Sequence, residues 1–181
     1  MKNYFLFISL LFSLVAHAQI KSVTIQASGL TCSMCSNSIN KALKSVPYVN
    51  QVVANIKNST FEIIFKSIDN ISFDLLKKKV EDAGFFVAKM EVELNVSNVK
   101  VSNDEHIELN GMMFHFLNVG DKLLNGSQVF RILDKGFVTS KEYKKNQKYT
   151  KMECYHTGVM GACCNKNNKT MGTRIYHVTV S

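Results

Sequence analysis

The chain has 181 residues, of which 46% are hydrophobic, and a formal net charge of +8 at pH 7. This length allows one or two small domains, each with a modest core. No Arg-rich or aromatic-interleaved run accompanies the basic charge, and the sequence has no Gly-rich phosphate loop, H-E-x-x-H or G-x-S-x-G motif. We therefore expect neither a nucleic-acid partner nor an enzyme.

The first eighteen residues have the pattern of a secretory signal peptide. Lys2 supplies a basic start, an apolar run extends from Tyr4 to Val15, and Ala-His-Ala at positions 16–18 fits a cleavage site. The apolar run is too short to span a bilayer comfortably, and no later segment is long and apolar enough to do so. We expect cleavage after Ala18 and export to the periplasm or the medium, with no transmembrane segment in the mature chain.

Two cysteines lie between an alternating segment and an amphipathic one. Apolar and polar residues alternate from Val23 to Ser28, which predicts a strand, and apolar residues recur at helical spacing from Ile39 to Val46. Cys35 falls in the first turn of that helix, where free backbone N–H groups and the helix dipole favour a thiolate, and Cys32 lies in the loop before it. Two thiolates suit Cu(I), Zn(II), Hg(II) or Ag(I) and do not suit Mg or Ca.

Four further elements follow in the first half of the chain. Alternation predicts a strand from Val49 to Ile56, with Val52, Ala54 and Ile56 on one face, and a second strand from Phe61 after a turn at residues 57–59. Ser72 is placed to cap a helix and Gly84 to end it as the C′ residue, and a strand covers residues 86–94. The order βαββαβ predicts a ferredoxin-like domain, with two helices on one face of a four-stranded antiparallel sheet.

Residues 21–94 resemble the heavy-metal-associated domain, a family of small copper chaperones, metal-pump modules and periplasmic mercury-binding proteins. The family loop reads Gly-Met-Thr-Cys-x-x-Cys, and residues 29–35 read Gly-Leu-Thr-Cys-Ser-Met-Cys, in which Leu30 is a volume-conserving replacement of Met. The resemblance implies that Cys32 and Cys35 are the metal ligands. Thr31 stands where zinc- and cadmium-handling members often carry Asp, which favours Cu(I).

The resemblance also implies surroundings for the metal. Phe85 matches the position of an aromatic residue or Lys that shields the ion in the family, although it could equally be only a packed strand residue. Lys77, Lys78 and Lys79 resemble the basic surface with which some chaperones dock on acidic partners, or they form a solvated helix face. The implied partner is a protein that donates or accepts the metal, including a membrane metal transporter.

The chain after Leu94 has no counterpart in the minimal family domain, and we place a domain boundary there. Short apolar segments cover Ile107–Val119, Val129–Leu133 and Arg174–Val180, with turn signals at 120–121 and 125–126. This pattern predicts a β-rich domain over residues 95–181, a small barrel or sandwich. The charged segment from Lys141 to Lys151 is read as an exposed helix or a long loop.

One stretch of this second domain has ligand chemistry. The residues of types that copper accepts are Cys154, His156, Met160, Cys163 and Cys164. In an oxidising compartment, a disulfide from Cys154 to Cys163 or Cys164 would close a loop of about ten residues. The alternative is a second metal site on these cysteines. Met112, Met113 and His115, in an earlier segment, are of ligand types too, but we read them as core or surface residues of a strand.

The sequence therefore favours an exported protein that binds a soft metal ion, Cu(I) first, and delivers or sequesters it. An exported mercury scavenger would carry the same loop. A thiol–disulfide oxidoreductase also places C-x-x-C at the start of a helix, but the chain has no Trp, Pro47 is poorly placed to face the cysteines, and the βαββαβ order differs from that of thioredoxin. A third reading is that the loop is a vestige and that the second domain binds a protein.

Overall fold

The computed structural model describes residues 19–30, 32–68, 70–164 and 171–181, and for Cys163 it describes the backbone alone. The predicted signal peptide, at residues 1–18, lies outside the described residues, as does Thr31. Among the helices that are described, none has the length and apolar character needed to cross a membrane.

The described residues form eight strands and four α-helices, with short 3₁₀ turns at Gln147–Tyr149 and Ala162–Cys164. In chain order the elements are β1 (Gln19–Ser28), α1 (Ser33–Lys44), β2 (Val49–Asn55), β3 (Thr60–Phe65), α2 (Phe73–Asp82), β4 (Phe86–Val101), β5 (Glu105–Leu109), β6 (Met112–Phe116), β7 (Lys122–Ile132), α3 (Ser140–Asn146), α4 (Cys154–Thr157) and β8 (Ile175–Val180).

The first half has the predicted ferredoxin-like arrangement. Its strands lie in the order β2-β3-β1-β4, all pairs are antiparallel, and α1 packs against α2. The core forms where apolar residues of the helices, such as Leu43 and Leu76, meet the inward face of the sheet, which carries Ile25 and Ile63. The strand predicted from Val49 to Ile56 is one residue too long, because β2 ends at Asn55 and the Ile56 side chain, placed on one face with Val52 and Ala54, is 60% exposed.

The ends of α2 follow the signals in the sequence. The Ser72 hydroxyl accepts a hydrogen bond from the Leu75 backbone N–H at 3.2 Å, as an N-cap residue does. At the other end, the N–H groups of Gly84 and Phe85 donate to the carbonyls of Glu81 and Val80, and Gly84 has a φ of +89°. This is the Schellman motif, in which a glycine at C′ adopts the left-handed conformation. Both predicted boundary residues are confirmed.

Strand β4 is longer than predicted and runs through the expected domain boundary without a break. It pairs with β1 on one edge and with β7 on the other, so the strands of the second half continue the sheet of the first. The complete order is β2-β3-β1-β4-β7-β8-β6-β5, and only β6 and β8 are parallel neighbours within the described sheet. The β-rich character of the second half is confirmed, but its strands extend one open sheet and do not form a separate barrel or sandwich.

The turn predicted at Asn125-Gly126 is wrong, because both residues lie inside β7. Val96 pairs with Gly126 and Val99 pairs with Leu124, so β4 has one residue more than β7 between these two pairs. The irregularity is a β-bulge, and Gly126, with a φ of +74°, lies opposite it. A glycine with positive φ suits a bulge as well as a turn, which explains the misreading.

Two other segments of the second half form a β-hairpin and a helix. The segment 107–119 includes most of the hairpin β5–β6, whose two-residue turn is Asn110-Gly111, with φ of +52° and +71°. Positive φ at both positions is typical of a type I′ turn. The charged segment 141–151 begins as a helix, α3, whose N-cap Thr139 accepts a hydrogen bond from Glu142 N–H at 3.3 Å.

Candidate metal site

Cys32 is the N-cap residue of α1. Its backbone is extended, and its Sγ accepts a hydrogen bond from the Cys35 backbone N–H at 3.4 Å. A side chain in this position satisfies one of the free N–H groups of the first helical turn. The sulfur therefore lies at the positive end of the helix dipole, which favours its anionic form.

The two sulfurs of the loop are in direct contact. Cys32 Sγ and Cys35 Sγ lie 2.8 Å apart. The hydrogen bond with the Cys35 side chain, followed by those with the backbone of Cys35 and Met34, lowers the pKa of the Cys32 thiol below its usual value of 9.0. The lowered pKa favours the thiolate form of Cys32, which is the form that binds a metal ion.

The loop is open to solvent. Cys32 is exposed, Cys35 is half-buried, and the Met34 side chain between them is 80% exposed. Two sulfurs bonded to one ion at about 2.3 Å each lie about 3.8 Å apart in tetrahedral geometry and about 4.6 Å apart in linear geometry, so the 2.8 Å contact must open when an ion enters. Because both side chains lie at the surface, this opening leaves the buried face of α1 in place.

Phe85 lies beside the start of the loop. A Cβ built on Gly29 would lie 4.0 Å from Phe85 Cδ1, and the half-buried Phe85 ring packs against the main core. The Schellman motif of α2 sets this position, because its last hydrogen bond is made by the Phe85 N–H. The ring thus adjoins the loop at Gly29, and its shielding of a metal ion stays a prediction.

The lysines of α2 are largely paired within the helix. Lys77 lies 2.9 Å from Glu81, and Lys78 lies 2.8 Å from Asp82, both at the i,i+4 spacing. Such pairs are typical of a solvated helix face. This arrangement favours that interpretation over a basic docking surface.

The candidate ligands of the second half lie in different surroundings. Cys154, the first residue of α4, and Cys164 are both buried, and no disulfide joins these two described side chains. The side chain of Cys163 lies outside the description, so a Cys154–Cys163 disulfide stays a prediction. His156 is exposed, and its ring nitrogens contact Gln147 and Tyr143.

Two histidines that the sequence analysis did not propose as ligands lie next to Cys154. Cys154 Sγ is 3.6 Å from His106 Nε2 and 3.7 Å from His115 Nδ1. His115 was read as a strand residue, and it is indeed buried in β6. Burial, followed by the neighbouring His106 and His177, lowers the pKa of His115 to about 3.

The sequence contains a turn signal from which the pairing of His106 with His115 could have been predicted. A two-residue Asn-Gly turn fixes the register of the strands that it joins, and with Asn110-Gly111 as the turn His106 lies directly opposite His115. The two rings stack with their centroids 4.0 Å apart. His106 was missed because this turn was not recognised.

The ferredoxin-like order and the two-cysteine loop at the N-terminus of α1 define a class of small metal-binding domains. Residues 24–86 match the family model of the heavy-metal-associated domain. This part of the chain is a heavy-metal-associated domain, as the sequence indicated. The match ends at Phe86, and the half of the chain after it is not recognised.

Solved structures of heavy-metal domains are similar to the same part of the chain. The yeast copper transporter domain Ccc2a is 26% identical, with 36% of this chain and 88% of that one covered and a TM-score of 0.33. Oxidised MerP from Ralstonia metallidurans CH34 is 27% identical, with 39% and 96% covered and a TM-score of 0.36. No curated protein matches the chain.

Proposed function

We propose that this protein is exported and binds one Cu(I) ion through Cys32 and Cys35, in order to deliver or sequester it. The observation that carries the proposal is the convergence of the two sulfurs, 2.8 Å apart, on an exposed loop at the start of α1. The match of residues 24–86 to the heavy-metal-associated domain supports it.

The chemistry of the loop suits a soft ion. Thiolate sulfur selects Cu(I) and related ions over hard cations. The lowered pKa of Cys32 eases the loss of the proton that metal binding requires. Because Cys32 is exposed, a thiolate from a partner protein can approach the bound ion as a third ligand. The ion then passes to the partner by stepwise ligand exchange, without a catalytic base.

The partner is a metal-donor or metal-acceptor protein outside the cytoplasm, such as a membrane metal transporter. Export rests on the signal-peptide pattern of residues 1–18. An exported thiol pair meets oxidising conditions, and the pair binds Cu(I) only while it is reduced. Delivery therefore requires that the loop receives its ion before it is oxidised, or that a reductant maintains it.

The same two thiolates suit Hg(II), which makes a mercury scavenger the nearest alternative. A close cysteine pair with a lowered thiol pKa also suits thiol–disulfide exchange. The surrounding fold is ferredoxin-like, which weighs against an oxidoreductase of the thioredoxin kind.

The test is a competitive titration of the reduced chain, expressed from Gln19, against a chromophoric Cu(I) chelator. The Cys32→Ser/Cys35→Ser variant should bind one equivalent of Cu(I) fewer than the wild type. Ser33→Ala, which changes the exposed residue between the two sulfurs, is the matched control and should bind as the wild type does. Equal stoichiometry in the wild type and the double variant would overturn the assignment. The same titration with Hg(II) in competition decides between the two soft ions.

A further inference from the structure

A second set of metal donors converges in the C-terminal half of the chain. His106 Nε2 on β5, His115 Nδ1 on β6 and Cys154 Sγ at the start of α4 all lie within 4.8 Å of one another. We propose that these three residues form a second metal site, for Zn(II) or copper, separate from the Cys32–Cys35 loop.

The distances fit one shared ion. With metal–nitrogen bonds of about 2.0–2.1 Å and a metal–sulfur bond of about 2.3 Å, nitrogen and sulfur donors lie about 3.5 Å apart in tetrahedral geometry and about 3.8 Å apart in trigonal geometry. The observed nitrogen–sulfur distances at Cys154 are 3.6 and 3.7 Å. One ion could therefore bind the sulfur and both nitrogens.

A carboxylate fixes the orientation of His115. His115 Nε2 lies 2.9 Å from Asp104 Oδ1. A carboxylate accepts hydrogen bonds, so Nε2 carries the proton, and the lone pair of Nδ1 faces Cys154. A histidine ligand that donates its other N–H to a carboxylate is a recurrent feature of protein metal sites, where the carboxylate holds the ring in place and raises its basicity. The negative charge of Asp104 also offsets part of the charge of a bound ion.

The three donors are held by packed elements. The hairpin register places His106 opposite His115, whose side chain is fully buried. Cys154 is 1% exposed and belongs to a small apolar cluster with Met113, Met160, Cys164 and Ile175. The positions of the donors are thus set by strand pairing and core packing, as a preorganised site requires.

A cleft in the surface borders the three donors at His106. It has a volume of about 350 Å³, and its lining includes Asp104, Glu105, His106, Met152 and Cys164. The two carboxyl groups favour the entry of a cation, and Met152 and Cys164 place further sulfur atoms along the same route. A water molecule that enters through this cleft would complete the coordination.

The donor set of this second site indicates which ions it would bind. Two imidazoles and one thiolate suit Zn(II) and copper ions, whereas Mg and Ca prefer oxygen donors. Binding converts the Cys154 thiol to a metal-bound thiolate and releases its proton to solvent. Because Cys154 and His115 are buried, the ion should exchange more slowly here than at the exposed loop, which suits an ion that the protein retains.

The test uses the chain expressed from Gln19 with Cys32→Ser and Cys35→Ser, so that the loop contributes no thiolate and the outcome does not depend on the proposed function. The reduced variant is titrated with Co(II), a spectroscopic substitute for Zn(II), and separately with Zn(II) and Cu(I). We expect one equivalent of Co(II) to bind with a thiolate-to-cobalt charge-transfer band, and Zn(II) or Cu(I) to displace it.

Substitutions on this background identify the donors. Cys154→Ser should abolish the charge-transfer band, and Asp104→Asn should weaken binding roughly tenfold to a hundredfold. His106→Gln should weaken it at least as much, and because His106 is half-buried on the edge strand β5 this variant should keep its fold. His156→Gln, which changes an exposed histidine of α4, is the matched control and should leave binding unchanged.

Two results would overturn the second site. One is the absence of any bound equivalent in the loop-deficient chain. The other is binding that survives both His106→Gln and Cys154→Ser, which would assign the ion to other donors. Circular dichroism of each variant in the presence of a chelator shows whether the fold is retained, and His106→Gln decides the question if Cys154→Ser does not fold.

Discussion

Arg174, just before β8, forms a two-point ion pair with Asp74 in the first turn of α2. Arg174 Nε lies 2.8 Å from Asp74 Oδ2, and Nη2 lies 3.1 Å from Oδ1. The Tyr176 hydroxyl donates a further hydrogen bond to Asp74 Oδ2 at 2.9 Å. These contacts join the heavy-metal-associated domain to residues that are 100 and 102 positions further along the chain.

The first prediction concerns the pH dependence of this link. Burial alone would raise the pKa of Asp74, but the hydrogen bonds and charge of Arg174 outweigh it, and the pKa is lowered in the folded chain. A lowered pKa stabilises the fold above the unfolded value of about 3.9, and the stabilisation is lost as the pH falls through the folded value. Asp74→Asn should therefore reduce the free energy of unfolding at neutral pH by roughly 1–2 kcal/mol.

Urea unfolding at neutral pH and near pH 3 measures this effect. The difference between the wild type and Asp74→Asn should narrow at the lower pH, because the Asp74 carboxyl of the unfolded chain is protonated before that of the folded chain and the proton therefore favours unfolding. Asp82→Asn, on the same helix, removes an exposed pair with Lys78 and should change stability little at either pH. An equal loss at both pH values would contradict the prediction.

The second prediction concerns the end of α2. Gly84 has a φ of +89°, and a Cβ at this position would meet nothing within 4 Å. Gly84→Ala should therefore destabilise the fold by about 1 kcal/mol through backbone strain alone. Gly120→Ala is the matched control, because its surroundings are equally open and its φ lies outside the left-handed region. Thermal unfolding should separate the two variants, and equal midpoints would refute the argument.

The third prediction concerns the reactivity of the loop. Because the pKa of the Cys32 thiol is lowered, iodoacetamide should modify it with a pH midpoint below 9.0, as followed by mass spectrometry. Cys35→Ala removes the side chain that contributes most to this shift, so it should raise the midpoint and slow the reaction at neutral pH. Ser33→Ala should have no such effect. A midpoint unchanged in Cys35→Ala would show that the sulfur–sulfur contact does not set the pKa.

The fourth prediction concerns Phe85. If its ring shields the ion, Phe85→Ala should speed the transfer of Cu(I) from the loop to a chelator several-fold in stopped-flow measurements. Phe86→Ala is the control, since the neighbouring ring is 72% exposed and lies on the other face of β4. Equal transfer rates in the two variants would leave Phe85 as a packing residue only.

The first half of the fold was predictable because its signals are local. The Ser72 cap, the Gly84 terminus and the alternation of the strands each depend on residues close in sequence. The length of β4 was not predictable in this way, because the polar pair Ser97-Asn98 interrupts the alternation and the partner strand β7 lies far along the chain. Whether Asn125-Gly126 forms a turn or faces a bulge likewise depends on that partner.

Of the two candidate metal sites, the first was predictable from local sequence and the second was not. Cys32 and Cys35 are recognisable from their spacing, whereas the neighbours of Cys154 are 39 and 48 residues away. Only the hairpin register and the docking of α4 bring His106 and His115 to the sulfur. The ligand types between residues 154 and 164 therefore indicate Cys154, but they also indicate His156, whose side chain is exposed in the fold.

The sharing of β4 by both halves has a consequence for association with other chains. Two separate four-stranded sheets would present four unpaired edges, whereas the single described sheet presents two, at β2 and β5. Unpaired edges are where foreign strands add and where chains aggregate. In this protein the outer edge of β4 is occupied by β7 from the same chain. A partner cannot extend the sheet there, so β4 contributes no template for strand addition, and the exposed cysteine loop is left as the accessible end of the domain.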